Sequence, residues 1–143
     1  MTEVKLTTEG IRYIALFESL TGAIARDCYV DDENDRVIFV VKKGDMGLAI
    51  GKNGNNINRV KRSVGKHVEI VEYSDEVDEF VANALQPVFV KKVQVVVKEN
   101  RKLAYVEVMS KDRGIAIGKN GRNIQRAKLL AQRHHGLADV IIQ

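Results

Sequence analysis

An α+β fold in two copies is what this sequence predicts, each copy running helix-strand-strand-helix-helix-strand with helices covering a three-stranded sheet. Three observations lead there. The segments GLAIGKNGNNINRVK from Gly47 and GIAIGKNGRNIQRAK from Gly114 lie 67 positions apart and share eleven of fifteen residues. Ahead of each lies a pair of short runs rich in Val, Ile, Phe and Tyr. Behind each, apolar residues recur at helical spacing.

The elements follow in order. EGIRYIALFESLTG (9–22) reads as a helix ended by Gly22. Residues 25–31 and 36–41 read as a hairpin across the polar run Asp32–Asp35. Residues 45–50 suffice for a short helix before GKNG, and Ile57, Val60 and Val64 then mark the inner face of a longer one. HVEIVEY closes the first unit as a strand. In the second unit, SDEVDEFVANAL places Val77, Phe80, Val81 and Ala84 on one helical face, with Ser74 or Asp75 as cap and Pro87 as a stop. Strands are expected over 93–98 and 103–109, turning at 99–102, then a short helix over 112–117, a longer one carrying Ile124, Ala127 and Ala131, and a closing strand in LADVIIQ. The predicted domains are 1–73 and 74–143. With no more than Tyr73-Ser74 between them, the linker is expected to hold the two in a fixed orientation.

Composition narrows the function. No apolar run approaches a membrane span and no secretory leader is visible at the start, so a soluble cytoplasmic protein that engages no membrane is expected. Cys28 is the only cysteine, which excludes an internal disulfide and a cysteine-based zinc site; it reads as a small apolar strand residue. Net charge is +4, but residues 42–66 and 109–135 each hold seven basic residues against one acidic. Positive charge is therefore concentrated at the repeats, as a polyanion-binding surface requires.

The repeated loop supplies the chemistry. Two glycines bracketing two polar residues, between two helices, let the backbone approach a ligand and adopt positive φ. The start of the following helix, Asn55-Asn56 or Arg122-Asn123, offers backbone N–H groups and a positive dipole end, and Lys52 and Lys119 add charge. A nucleotide P-loop is excluded by spacing, because Gly47 stands too close to Gly51-Lys52 and Asn53 sits where the magnesium-binding hydroxyl belongs. A loop of this form that clamps a nucleic-acid backbone, holding about four nucleotides, fits instead.

With GKNG set between paired helices in the same six-element order twice, the chain resembles the type II K-homology (KH) domain, in tandem, as found in archaeal NusA-like transcription termination and antitermination proteins. The resemblance covers roughly residues 4–142. It implies binding of nascent single-stranded RNA near RNA polymerase or the elongation complex. It implies a backbone clamp at Gly51, Lys52, Asn53 and Gly54, and at Gly118, Lys119, Asn120 and Gly121. Ile50 and Ile117 would form the groove floor against each unit's second strand, with Ile57 and Ile124 behind them as core or groove. Bacterial members carry a polymerase-binding domain and an oligonucleotide-binding barrel ahead of the KH pair; neither is matched here, so RNA binding is implied more directly than polymerase association.

Arg59, Lys61, Arg62, Arg126 and Lys128 complete the candidate RNA-binding set, with the wet face of an amphipathic helix as the competing reading for each. Asn55, Asn56, Arg122 and Asn123 either cap their helices or touch the nucleic acid. His67, His134 and His135 lack partners at ligand spacing, so no metal site is predicted, and protonation of the pair near a helix end is expected to be favoured. No cofactor is implied. No catalytic constellation emerges: the acidic groups in DDENDR and SDEVDE read as a turn and a helix start. The expectation is a non-enzymatic, monomeric reader of single-stranded RNA acting in transcription. The alternatives are a KH factor of ribosome assembly or RNA turnover, and an adaptor whose loops pack only on protein.

Overall fold

The computed structural model describes residues 4–143. They fall into two units, Lys5–Tyr73 and Ser74–Gln143, the second also taking in Val4.

In the first unit, helix α1 (Thr8–Thr21) starts where the Thr7 hydroxyl accepts from Gly10 N (2.9 Å) and stops at Gly22, which takes the left-handed conformation and donates to Glu18 O. Strands β1 (Ala25–Asp31) and β2 (Arg36–Val41) pair antiparallel. After α2 (Met46–Ile50) and α3 (Asn55–Val64), β3 (His67–Glu72) returns parallel to β2, giving the order β1-β2-β3. Phe17 stacks on Phe39 at 4.4 Å between centroids, in a core with Val37, Val41, Ala49, Val60 and Val68. That core fixes α1 and α3 against the sheet, and so fixes the loop between α2 and α3.

The second unit repeats the order with α4 (Val77–Ala84), β4 (Val90–Lys98), β5 (Arg101–Val108), α5 (Arg113–Ile117), α6 (Arg122–His135) and β6 (Asp139–Ile142), in the sheet β4-β5-β6. It departs from the sequence expectation in three places. Strand β4 begins three residues early, because a register shift between Val90 and Lys92 breaks the alternation that marks a strand in sequence. The turn is tighter than expected: Glu99 (φ 53°) and Asn100 (φ 64°) are both left-handed, so the strands resume at Arg101. The N-cap of helix α4 is Glu76, not Ser74 or Asp75 as expected, and the Ser74 hydroxyl accepts from Glu76 N (3.1 Å) in the turn before the helix.

All six residues of β2 are buried, Arg36 included at 1% exposure. Its Nε donates to Asp31 (2.8 Å) and its Nη1 to Glu69 (3.1 Å), so the buried charge is paired on both sides. Burial pushes the Asp31 carboxyl up, but hydrogen bonds from Asn34 and Arg36 and the Arg36 charge outweigh it and hold the group below the usual carboxylate range. Cys28 is buried in β1, as its alternating surroundings predict. Among the described residues no group of three or more His, Cys, Asp or Glu could hold a metal ion. No helix among them is long and apolar enough to cross a membrane.

Candidate nucleic-acid interface

Both GKNG loops adopt the same backbone, residue for residue. Gly51 lies at φ 76°, ψ 172° and Gly118 at φ 82°, ψ 167°. Asn53 (φ 55°, ψ 26°) and Asn120 (φ 57°, ψ 26°) are left-handed, as are Gly54 and Gly121. The letters follow from this. Asparagine tolerates the left-handed region better than most residues, and the extended positive-φ state of the first glycine is open to glycine almost alone.

The two glycines of each loop serve different purposes. A Cβ on Gly51 would stand 2.7 Å from Asn56 Cγ, and one on Gly118 2.9 Å from Asn123 Cγ. Around Gly54 and Gly121 nothing comes nearer than 3.7 Å. The first glycine is thus required both by its φ and by the packing of the loop on itself, the second by its φ alone. Asn56 Nδ2 donates to Leu48 O and Asn123 Nδ2 to Ile115 O, each at 2.7 Å. These side chains tie the long helix to the short one across the loop. None of Asn55, Asn56, Arg122 and Asn123 is an N-cap, because Gly54 and Gly121 occupy that position and have no side chain.

Lys52, Asn53, Lys119 and Asn120 are exposed at the tips, and among the described residues neither lysine enters an ion pair. Around the loop, Gly51 N donates to Gly47 O, Gly54 N to Gly51 O and Asn55 N to Lys52 O, which turns the backbone tightly at Lys52-Asn53. An exposed cation on a tight positive-φ turn suits a phosphate.

Ile50 and Ile117 are 42% and 40% exposed beside the loops, whereas Ile57 and Ile124 are half-buried, with Ile57 packed against the first core. Sequence reasoning missed Leu48 and Ile115, which are 51% and 54% exposed. The signal was present: a one-turn helix can bury little more than one residue, here Ala49 or Ala116, so its other aliphatic residues must face out. The short helices pack on the third strand of each unit, α2 on β3 and α5 on β6, rather than on the second as expected. Because β3 runs parallel to β2, its end comes beside the entry to α2, where Gly44 N donates to Glu72 (2.8 Å).

The cationic set divides. Lys61 and Arg62 are exposed, while Lys128 pairs with Asp139 at 3.2 Å and Arg122 is half-buried. Arg126 is a correction. It is 8% exposed, and its guanidinium donates to Ala84 O and Gln86 O, both at 3.0 Å, binding the carbonyls at the end of α4. The aligned Arg59 remains exposed and reaches Leu20 O (3.3 Å) near the end of α1. The repeated arginine therefore joins α3 or α6 to the last turn of the helix that opens its unit. Arg126→Met is expected to lower stability by about 2 kcal/mol through two carbonyls left without donors, read from the urea midpoint. An unchanged midpoint would return Arg126 to the phosphate-facing set.

His135 is a second correction. Burial lowers its pKa below the usual histidine value, outweighing the hydrogen bond to Ser74 O (2.8 Å), which acts the other way; nearby His134 and Lys102 add to the lowering. Because the folded pKa is depressed, the associated stability is present in full above about pH 6.5 and is lost as pH falls toward the folded value. Unfolding midpoints are expected to decline as pH falls below about 6.5, and less steeply in His135→Gln. Equal slopes would remove His135 from the account.

Comparison with known proteins agrees with this geometry. A KH domain model matches residues 11–98, and a model of the NusA-like second KH domain matches 77–137. A probable transcription termination protein NusA of Halococcus morrhuae is 44% identical over 138 residues, 96% of each chain. This chain belongs to the archaeal NusA-like family of tandem KH proteins. The Halobacterium salinarum relative of the same description is 42% identical, again over 96% of both chains. Among solved structures, the crystal structure of APE1850 superposes on this NusA-like chain with a TM-score of 0.85 at 38% identity, covering 96% of this chain and 100% of that one.

Proposed function

We propose that this NusA-like chain binds single-stranded RNA through two backbone clamps, Gly51–Gly54 and Gly118–Gly121, with residues 1–73 and 74–143 as its two modules. The observation that carries the reading is the pair of loops with one backbone conformation, each presenting an exposed, unpaired lysine and a left-handed asparagine. Glycines at both ends of such a turn leave the backbone open to close approach by a ligand. Ile50 and Ile117, joined by Leu48 and Ile115, give the bases apolar surface beside each clamp. Lys61 and Arg62 extend the positive field along α3, whereas Lys128 on α6 is paired with Asp139.

The target is nascent RNA in transcription termination or antitermination, with RNA polymerase or the elongation complex as partner. The similarity to proteins described as probable transcription termination factors, across almost their whole length, supports this. Purified chain added to a stalled elongation complex is expected to crosslink to emerging RNA and to shift termination at a defined terminator. RNA binding without any effect on termination, alongside recovery with ribosomal particles, would move the function out of transcription.

A further inference from the structure

We infer that the first module holds a second phosphate site, absent from the second module, in the open depression of about 410 Å³ lined by Asn55, Arg59 and Arg62. The ligand is a phosphodiester of the same RNA strand, one step beyond the clamp; the inference rests on the RNA reading above and adds a subsite to it.

Positions 55, 59 and 62 follow one another at i, i+4 and i+7, so they form one stripe on α3, beginning at the residue after Gly54. Among the described residues no carboxylate lines the depression. Arg59 is held from two directions, by Leu20 O and by Asn56 Oδ1, and Asn56 is itself anchored to Leu48 O. Its guanidinium therefore loses little freedom on binding and keeps donors unused, in the planar fork that matches phosphate. Arg62, one turn on, has no partner among the described residues. Two like charges at i, i+3 repel. An anion between them turns that repulsion into charge-assisted hydrogen bonds.

The second module cannot do the same. The positions matching 55, 59 and 62 are Arg122, Arg126 and Leu129. Arg126 is buried and committed to Ala84 O and Gln86 O, and Leu129 carries no charge. Two modules with identical clamps are thus unequal in the phosphates they can hold.

The test measures affinity of the intact chain for fluorescent single-stranded RNAs of about four and about eight nucleotides across a salt series, the shorter matching one clamp. For Arg62→Gln and Arg59→Gln/Arg62→Gln, the salt slope on the longer RNA is expected to fall by roughly 0.7 for each phosphate no longer neutralised. Affinity should drop three- to tenfold there and less on the shorter RNA, with Lys98→Gln as an unaffected control and circular dichroism confirming the fold. Arg62 has no partner among the described residues, so its single variant keeps the test independent of folding. An unchanged slope while wild type binds overturns the second site and leaves the clamp standing. Equal losses on both lengths place Arg62 in the clamp and also overturn it. Titration of inorganic phosphate, followed at the arginine Nε resonances, separates the sources: saturation that the longer RNA does not displace means a free-anion site and overturns the RNA assignment. Failure of wild type to bind either RNA removes the RNA reading and this site with it.

Discussion

Replacing Lys52, Asn53, Lys119 and Asn120 together by aspartate is expected to weaken single-stranded RNA binding by roughly 100-fold, about 1.5 kcal/mol for each clamp, while the chain stays folded. All four side chains are exposed, and among the described residues the lysines form no ion pair, so the fold does not depend on them. Aspartate, like asparagine, tolerates the left-handed φ of 55° and 57° at positions 53 and 120. What changes is the field where the backbone N–H groups would meet phosphate: two cations become anions, and two further anions are added. The loss should shrink as salt rises, because the interaction removed is one of counterion release. Fluorescence anisotropy at two salt concentrations, with circular dichroism for the fold and matched single-stranded DNA and duplex RNA alongside, measures it. A folded variant that binds as wild type does would mean that the repeated loop serves something other than a nucleic-acid backbone, and the transcription reading would fall with it.

Gly51→Ala is expected to cost roughly 3 kcal/mol of stability, and Gly118→Ala about the same, from two sources that act together. At φ 76° and ψ 172° an L-residue strains its own backbone. The new methyl would also stand 2.9 Å from Asn56 N, a backbone atom at the start of α3 that cannot step aside without shifting the helix. The shift would break the Asn56–Leu48 bond that closes the loop. Gly54→Ala is the control. Its φ of 74° is equally positive, but its methyl meets nothing within 3.7 Å, so it should cost only about 1 kcal/mol. Urea unfolding of the three variants separates these outcomes. Similar losses at Gly51 and Gly54 would show that the sign of φ alone matters and that Asn56 places no demand on the first glycine.

Much of the architecture was legible because its signals are local. Val37 to Val41 form one unbroken apolar run, Ile57, Val60 and Val64 recur with the helical period, and Gly22 marks a helix end; each pattern is written within a few residues of its effect. The boundaries that escaped are those where a local irregularity interrupts the period. The register shift at Val90–Lys92 and the two-residue turn at Glu99-Asn100 both hide strand residues among polar letters.

The candidate site divides along the same line. The repeat, its glycines and its tip residues were visible without coordinates, because a positive-φ loop must be spelled with glycine and asparagine whatever surrounds it. The roles of the two aligned arginines were not. Arg59 and Arg126 share a position in the repeat, yet one stays exposed and the other is buried against carbonyls 42 and 40 residues away in sequence. The strand beside α2 was likewise settled by the parallel return of β3. By itself, then, the sequence determined the order of elements and the conformation of the two GKNG loops, since both follow from short-range sterics and hydrophobic period. Only the tertiary structure decided which basic groups are left for a ligand, because a guanidinium's availability depends on carbonyls and carboxylates that folding brings to it from distant parts of the chain.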